Sequence, residues 1–348
     1  MPGPESRIGR GPAGDPPGLV DQGAVPSPPD ATSAGTRPHI PPSMPPTVPA
    51  RLACALAGAL ALATIAGAQA PSSARPAKAP RVARAAFRAP EGSNVVTVLA
   101  REYAFELPDS IPAGLTTFRL RDLGREQHHI FLAALPDGKS PRDLVAAIEA
   151  GGPAPAWGRA PWMHMVGGPN TPVPGGESNA TLTLAPGRYV VFCVIPAPDG
   201  ALHVMKGMHR TLTVTPSARR APRPAHDVAI TLTDYDFVFS RAITPGTRTL
   251  RITNAATQPH EMFLMRLPPG RTVADLVAWV AKPHGPPPVV PAGGITDIPP
   301  GGVAFVRADF TAGEYALICF SPDERDGRPH FAHGMTRQFR VRAAGDAP

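Results

Sequence analysis

The chain has 348 residues, 48 of them Pro and 34 Gly, with 43% hydrophobic, 6% aromatic and 18% charged residues and a formal net charge of +7. That length suggests two domains with cores of their own. The composition, with three cysteines in all, excludes a coiled coil, a polytopic membrane protein and a disulfide-dense scaffold.

The first fifty residues hold 14 Pro and 7 Gly, so residues 1–43 are read as disordered or as an over-extended start. Residues 52–68 form one apolar run, preceded by Arg51 and followed by the small-x-small site Ala68-Gln69-Ala70 ahead of Pro71. Met44 lies at the right distance before it, so 44–70 is read as a signal peptide that sends the chain out of the cytoplasm, to the periplasm or beyond. The alternative is an uncleaved anchor carrying a cytosolic tail, for which the run is short. Cys54 stands at the beginning of the run instead of following it, which fits a lipoprotein site poorly. Residues 71–92 carry Arg75, Lys78, Arg81, Arg84 and Arg88 among Pro and Ala. This is a basic tether able to contact anionic membrane surfaces. The basic residues are not interleaved with aromatics, so no nucleic-acid partner is expected.

An internal repeat organises the rest. Val96, Val98, Tyr103, Phe105 and Leu107 recur as Val228, Ile230, Tyr235, Phe237 and Phe239, at an offset of 132 that also carries His128 onto His260 and Asp143 onto Asp275. The offset then becomes 126, carrying Gly167-Gly168 onto Gly293-Gly294, Tyr189 onto Tyr315 and Cys193 onto Cys319; His203 and Met208 fall on His330 and Met335 at 127. Two tandem domains are expected, 93–216 and 226–343, joined by the linker 217–225.

Each repeat reads as β. Alternation in Tyr103/Phe105/Leu107, Phe118/Leu120 and Thr211–Val214 turns one face inward, and Gly, Pro and Asp clusters supply turns. The segments Gly187–Cys193 and Gly313–Cys319 are more continuous apolar strands. Asp143–Ala150 and Asp275–Ala281 each predict one short helix. The fold class is all-β, with two tandem Greek-key sandwiches, each carrying one helix.

With Cys54 removed, one cysteine per repeat remains, at matching positions that cannot pair within a domain. An exported protein gains little from free thiols, so these suggest a metal ligand, against the plainer reading of a small buried filler. Nine residues separate Cys193 from His203 and ten separate Cys319 from His330; four more lead to Met208 and Met335. His128 and His260 open apolar segments upstream. Each repeat therefore offers one thiolate, two imidazoles and one thioether, the donor set of a trigonal copper site with a weak axial methionine. His129 could replace His128, but it aligns with Glu261. His209, His333 and the Met163-His164-Met165 cluster are read as surface or packing residues, the methionines against Trp157 or Trp162.

Both repeats resemble cupredoxins, the blue (type 1) copper family, over essentially the whole chain after residue 92. The turns His203-Val-Met-Lys-Gly-Met208 and His330-Phe-Ala-His-Gly-Met335 are similar to the His-x-x-x-Gly-Met turn of that family, with a longer Cys-to-His gap, closer to the type 1 site of copper nitrite reductases. The resemblance implies copper held by His128, Cys193, His203 and Met208, and by His260, Cys319, His330 and Met335. Phe192 and Ile318 stand where copper enzymes of the family often place a further histidine, so no enzyme activity is expected. The function expected is electron transfer with one mononuclear site per repeat, through the imidazole edge of His203 or His330, to an envelope partner with an acidic surface. A non-redox copper carrier or buffer, and a metal-free binding module, are the alternatives; a copper enzyme would require an intersubunit site.

Overall fold

The computed structural model describes residues 88–150, 162–343 and 345. The expected signal peptide, the start before it, most of the tether and Trp157 lie outside the described residues. No described helix is long and apolar enough to cross a membrane.

The first repeat contains β1 (Asn94–Arg101), β2 (Ala104–Glu106), β3 (Ser110–Pro112), β4 (Gly114–Asp122), β5 (Phe131–Ala134), α1 (Pro141–Ala150), β6 (His164–Gly167), β7 (Glu177–Leu184), β8 (Gly187–Phe192) and β9 (His209–Thr215). The second contains β10 (Val228–Thr233), β11 (Asp236–Phe239), β12 (Gly246–Asn254), β13 (His260–Leu267), α2 (Val273–Ala281), β14 (Val290–Ile298), β15 (Val303–Phe310), β16 (Gly313–Ile318) and β17 (Thr336–Val341). In the first repeat β2-β1-β4-β7 packs on β3-β9-β8-β5-β6; in the second β11-β10-β12-β15 packs on β14-β13-β16-β17. Both pairs are all-β sandwiches of the expected class. β1 and β10 run parallel to β4 and β12, so the sheet that holds them is mixed rather than a simple meander, whereas β14-β13-β16-β17 is antiparallel throughout.

The strands follow from alternation. In β1, Val96, Val98 and Ala100 are buried while Val95, Thr97 and Arg101 face out. The apolar run of β8 has a different cause. Tyr189, Val191 and Cys193 point into the space between the sheets, whereas Val190, Phe192 and Val194 pack with Leu144 and Ile148 of α1. In the second repeat Tyr315, Leu317 and Cys319 face inward, and Ala316 and Ile318 meet Leu276, Trp279 and Val280 of α2. A strand covered on both faces must be apolar at every position, and that same alternation aims each cysteine inward. Thr272 caps α2 in a reciprocal box with Asp275; Asp143 accepts likewise from the Ser140 amide and hydroxyl before α1.

The two repeats share structure. β7 and β15 are neighbours in one eight-stranded sheet, joined at Phe305 and Thr181, with the Asn179 side chain donating to the Arg307 carbonyl and accepting from its amide. Deeper, β14 meets the segment after β6: Asn170 N donates to Gly294 O (3.1 Å), Gly293 N to Thr171 O (3.1 Å) and Thr296 N to Gly168 O (2.9 Å). The paired glycines are required by this approach. A Cβ on Gly168 would lie 2.2 Å from the Ile130 carbonyl oxygen, and one on Gly294 2.0 Å from that of Met262.

Candidate metal centres

Each site begins with backbone. After Cys193 the chain loops out and returns as a short 3-10 turn, His203–Lys206, ended by Gly207 at φ 100°, a conformation that favours glycine. Cys193 N donates to Met208 O (3.2 Å), Val204 N to Cys193 O (2.8 Å), His203 N to Ile195 O (2.9 Å) and Met208 N to His203 O (3.0 Å). The second repeat makes the same four bonds through Cys319, Phe331, His330, Ser321 and Met335, and Gly334 repeats the φ of 100°. Cysteine, histidine and methionine are thus fixed by the main chain, despite the long loop between them.

The third element supplies the upstream histidine. His260 is the first residue of β13; His128 lies three residues before β5, in the connection from β4, rather than opening the strand itself. All eight sequence-predicted residues are fully buried. In the first repeat the Nδ1 atoms of His128 and His203 are 3.1 Å apart, and Cys193 Sγ lies 3.5 Å from His203 Nδ1. In the second, His260 and His330 Nδ1 are 2.8 Å apart, and Cys319 Sγ lies 3.8 and 3.3 Å from them. Each His-Cys-His group keeps its donor atoms within 4.8 Å of one another. Donors held about 2.0–2.3 Å from one ion at trigonal angles lie about 3.5–3.7 Å from each other. The thiol–imidazole spacings match, and the two imidazole nitrogens sit slightly closer, at hydrogen-bonding distance. Met208 and Met335 are buried beside their cysteines in the same core.

Burial sets the protonation states of these groups. Burial lowers the pKa of His128, helped by its neighbour His203, to about 4, that of His203 to about 4 and that of His330, helped by His260, to about 4; His260 is lowered by burial too. Burial pushes the Cys193 thiol up to about 12 and raises Cys319 well above its ordinary value. The metal-free chain thus holds neutral imidazoles and protonated thiols. The outer nitrogens of His128 and His330 are buried without a hydrogen-bond partner, whereas His203 Nε2 meets Glu126 Oε2 at 2.9 Å and His260 Nε2 meets Asp234 Oδ1 at 3.2 Å. Such carboxylates orient ligand rings. The soft thiolate, two imidazoles and thioether fit a type 1 copper ion.

The remaining candidates separate cleanly. His129 Nε2 accepts from Val194 N (3.0 Å), and Glu261 Oε1 accepts from the equivalent Phe320 N (2.6 Å); both side chains brace the residue after the cysteine. Met163 and Met165 are buried with Phe131 and Phe192, packed against Trp162, and His164 is exposed. His209 is the first residue of β9. His333 bonds Asp326, and with Asp323 these form a third group of close donors, but Arg325 ion-pairs with Asp323 there.

The edges expected to face solvent are covered. Tyr103 packs edge-on to His203 with ring centroids 5.2 Å apart, donates to Glu126 and lies under the Lys206 ammonium. Tyr235 packs on His330 at 5.6 Å, donates to Asp323 and lies under Arg325. Tyr103 (φ 61°) and Tyr235 (φ 72°) are the non-glycine residues with positive φ among the described residues. That strain, of about 1–3 kcal/mol each, sits where the β1–β2 and β10–β11 turns press a ring onto His203 and His330. The repeated tyrosine was visible in sequence; its handedness was not.

The chain is similar to solved blue-copper structures. The auracyanin of Roseiflexus castenholzii is 26% identical, with 36% of this chain and 98% of that one covered and a TM-score of 0.25. Auracyanin B is 25% identical (37% and 93% covered, TM-score 0.27), and a copper-containing nitrite reductase from Thermus scotoductus is 14% identical (73% and 62% covered, TM-score 0.20). A multicopper oxidase is also similar, at 10% identity and a TM-score of 0.19. No protein-family model matches, and no curated protein matches.

Proposed function

We propose that the protein is an exported one-electron carrier that holds one copper ion in each repeat. His128, Cys193, His203 and Met208 would hold the first; His260, Cys319, His330 and Met335 would hold the second. Bound there, copper supplies a reversible Cu(I)/Cu(II) couple. The observation that carries this reading is the same buried Nδ1–Nδ1–Sγ group, built twice with the same backbone bonds.

The chain's own part is to keep the group closed. Phe192 and Ile318 point away from it into the helix-facing cores, so neither completes a second histidine set, and catalysis at an open metal position is not part of the proposal. Tyr103 with Lys206, and Tyr235 with Arg325, cover the rings. A partner with an acidic surface would dock over these cations, making association weaken with salt.

Titration of the purified protein with Cu(II) tests the reading. An intense blue thiolate-to-copper absorption is expected, halved by Cys193→Ser or Cys319→Ser and abolished by both. A colourless protein refutes it. Binding of Cu(I) without redox cycling would establish the carrier reading, and turnover of nitrite or a phenol would establish an enzyme.

A further inference from the structure

The two cysteines are connected through the interior by side chains that the ligand sets do not use. Val194 N, adjacent to Cys193, donates to His129 Nε2 at 3.0 Å. Ile130 N, adjacent to His129, donates to Pro169 O at 3.0 Å. Asn170 Nδ2, one residue on, donates to Glu261 Oε2 at 3.0 Å. Glu261 Oε1 accepts from Phe320 N at 2.6 Å, and Phe320 is adjacent to Cys319. His129, Asn170 and Glu261 are all buried. A second branch leaves the same point: Thr296 Oγ1 donates to Ile130 O at 2.8 Å, and its neighbour Asp297 accepts from Ser321, two residues after Cys319.

We propose that this network is an internal path by which the two halves exchange one electron, with Asn170 and Thr296 as its side-chain links between repeats. The proposal rests on the electron-transfer reading above. Electronic coupling falls off less steeply along covalent and hydrogen bonds than across van der Waals gaps, and here both branches close with hydrogen bonds. In the exchange, Cu(I) in one half is oxidised to Cu(II) as Cu(II) in the other is reduced to Cu(I). One electron moves and no bond or proton is transferred.

The test uses the whole protein carrying Met335→Gln, so that a changed axial ligand offsets the second site's potential and absorption from the first. A flash-generated flavin radical delivers less than one electron per molecule, and redistribution between the two bands is followed at several protein concentrations. A first-order, concentration-independent phase is expected, slowed by an order of magnitude or more in Asn170→Ala with Thr296→Val and less in either single variant, with both bands retained. Absence of that phase in the parent, or an unchanged rate in the double variant, overturns the path while leaving the copper reading intact. A colourless parent overturns both. In the metal-free protein, the Asn170 side-chain amide should exchange slowly with solvent by NMR; free exchange also overturns the path.

Discussion

Copper uptake should release one proton per site near neutral pH, and the structure fixes both the number and its pH range. The Cys193 thiol, pushed up to about 12 by burial, is protonated at pH 7, whereas His128 and His203, lowered to about 4, are already neutral. Ionising a group five units below its pKa costs about 7 kcal/mol at 1.36 kcal/mol per unit, which the metal–thiolate bond must exceed. Affinity should rise about tenfold per pH unit between roughly pH 5 and 11, because one proton leaves per ion bound. Below about pH 4 the slope should steepen towards three, as two imidazoles begin to compete for protons. Calorimetry of Cu(II) binding at pH 7 in buffers of different ionisation enthalpy counts the protons directly. The Cys319→Ser variant isolates the first site. A count of zero would mean that the cysteine is already a thiolate or is not a ligand, and would refute the argument; a count of two or more would mean that the imidazoles are not neutral.

Other outcomes follow from single contacts. His128→Gln should abolish the first site's blue band, whereas His129→Gln, whose amide oxygen can still accept from Val194 N, should retain it; the absorption spectra of the two variants decide. Gly294→Ala must move a backbone carbonyl that its Cβ would approach to 2.0 Å, from a φ of 120°. A loss of about 1–3 kcal/mol or more in denaturant unfolding is expected, and an unchanged midpoint would contradict the close approach. Burial raises Asp122 to about 7, so the native state holds a proton that the unfolded chain releases near pH 4. Its contribution is therefore most favourable below pH 4 and is lost as pH rises to 7. Asp122→Asn, which places there the residue type found at the equivalent Asn254, should raise the melting temperature of the metal-free protein at pH 8. The gain should shrink towards pH 4.

The grouping of each cysteine with two histidines was legible in sequence because cysteine, histidine and methionine recur at nearly fixed offsets in two copies. Both helices were legible for the same reason, since Asp143 and Asp275 mark equivalent N-termini. What escaped was whatever depends on partners distant in the chain. Glu126 and Asp323 do not align, because the two repeats recruit different acids to their tyrosines. The pairing of Asn170 with Glu261 joins residues 91 positions apart and has no local signal. The continuous apolar strand before each cysteine was recognisable, but that its alternate residues serve two different cores becomes apparent once α1 and α2 cover its outer face.

The contacts between the repeats have a consequence for origin and assembly. Under the 126-residue offset, Asn170 corresponds to Thr296 and Gly168 to Gly294, so Asn170 N to Gly294 O and Thr296 N to Gly168 O are one contact made in both directions. Likewise Phe305 corresponds to Asn179 and Arg307 to Thr181, and the two pairings across the shared sheet exchange on the same operation. Such reciprocity is the mark of an isologous, self-complementary patch. A single-repeat ancestor would have carried the whole of that patch on one polypeptide and met its own twin as a homodimer. Within that shared frame the two halves differ, one bracing its cysteine loop with the imidazole of His129 and the other with the carboxylate of Glu261.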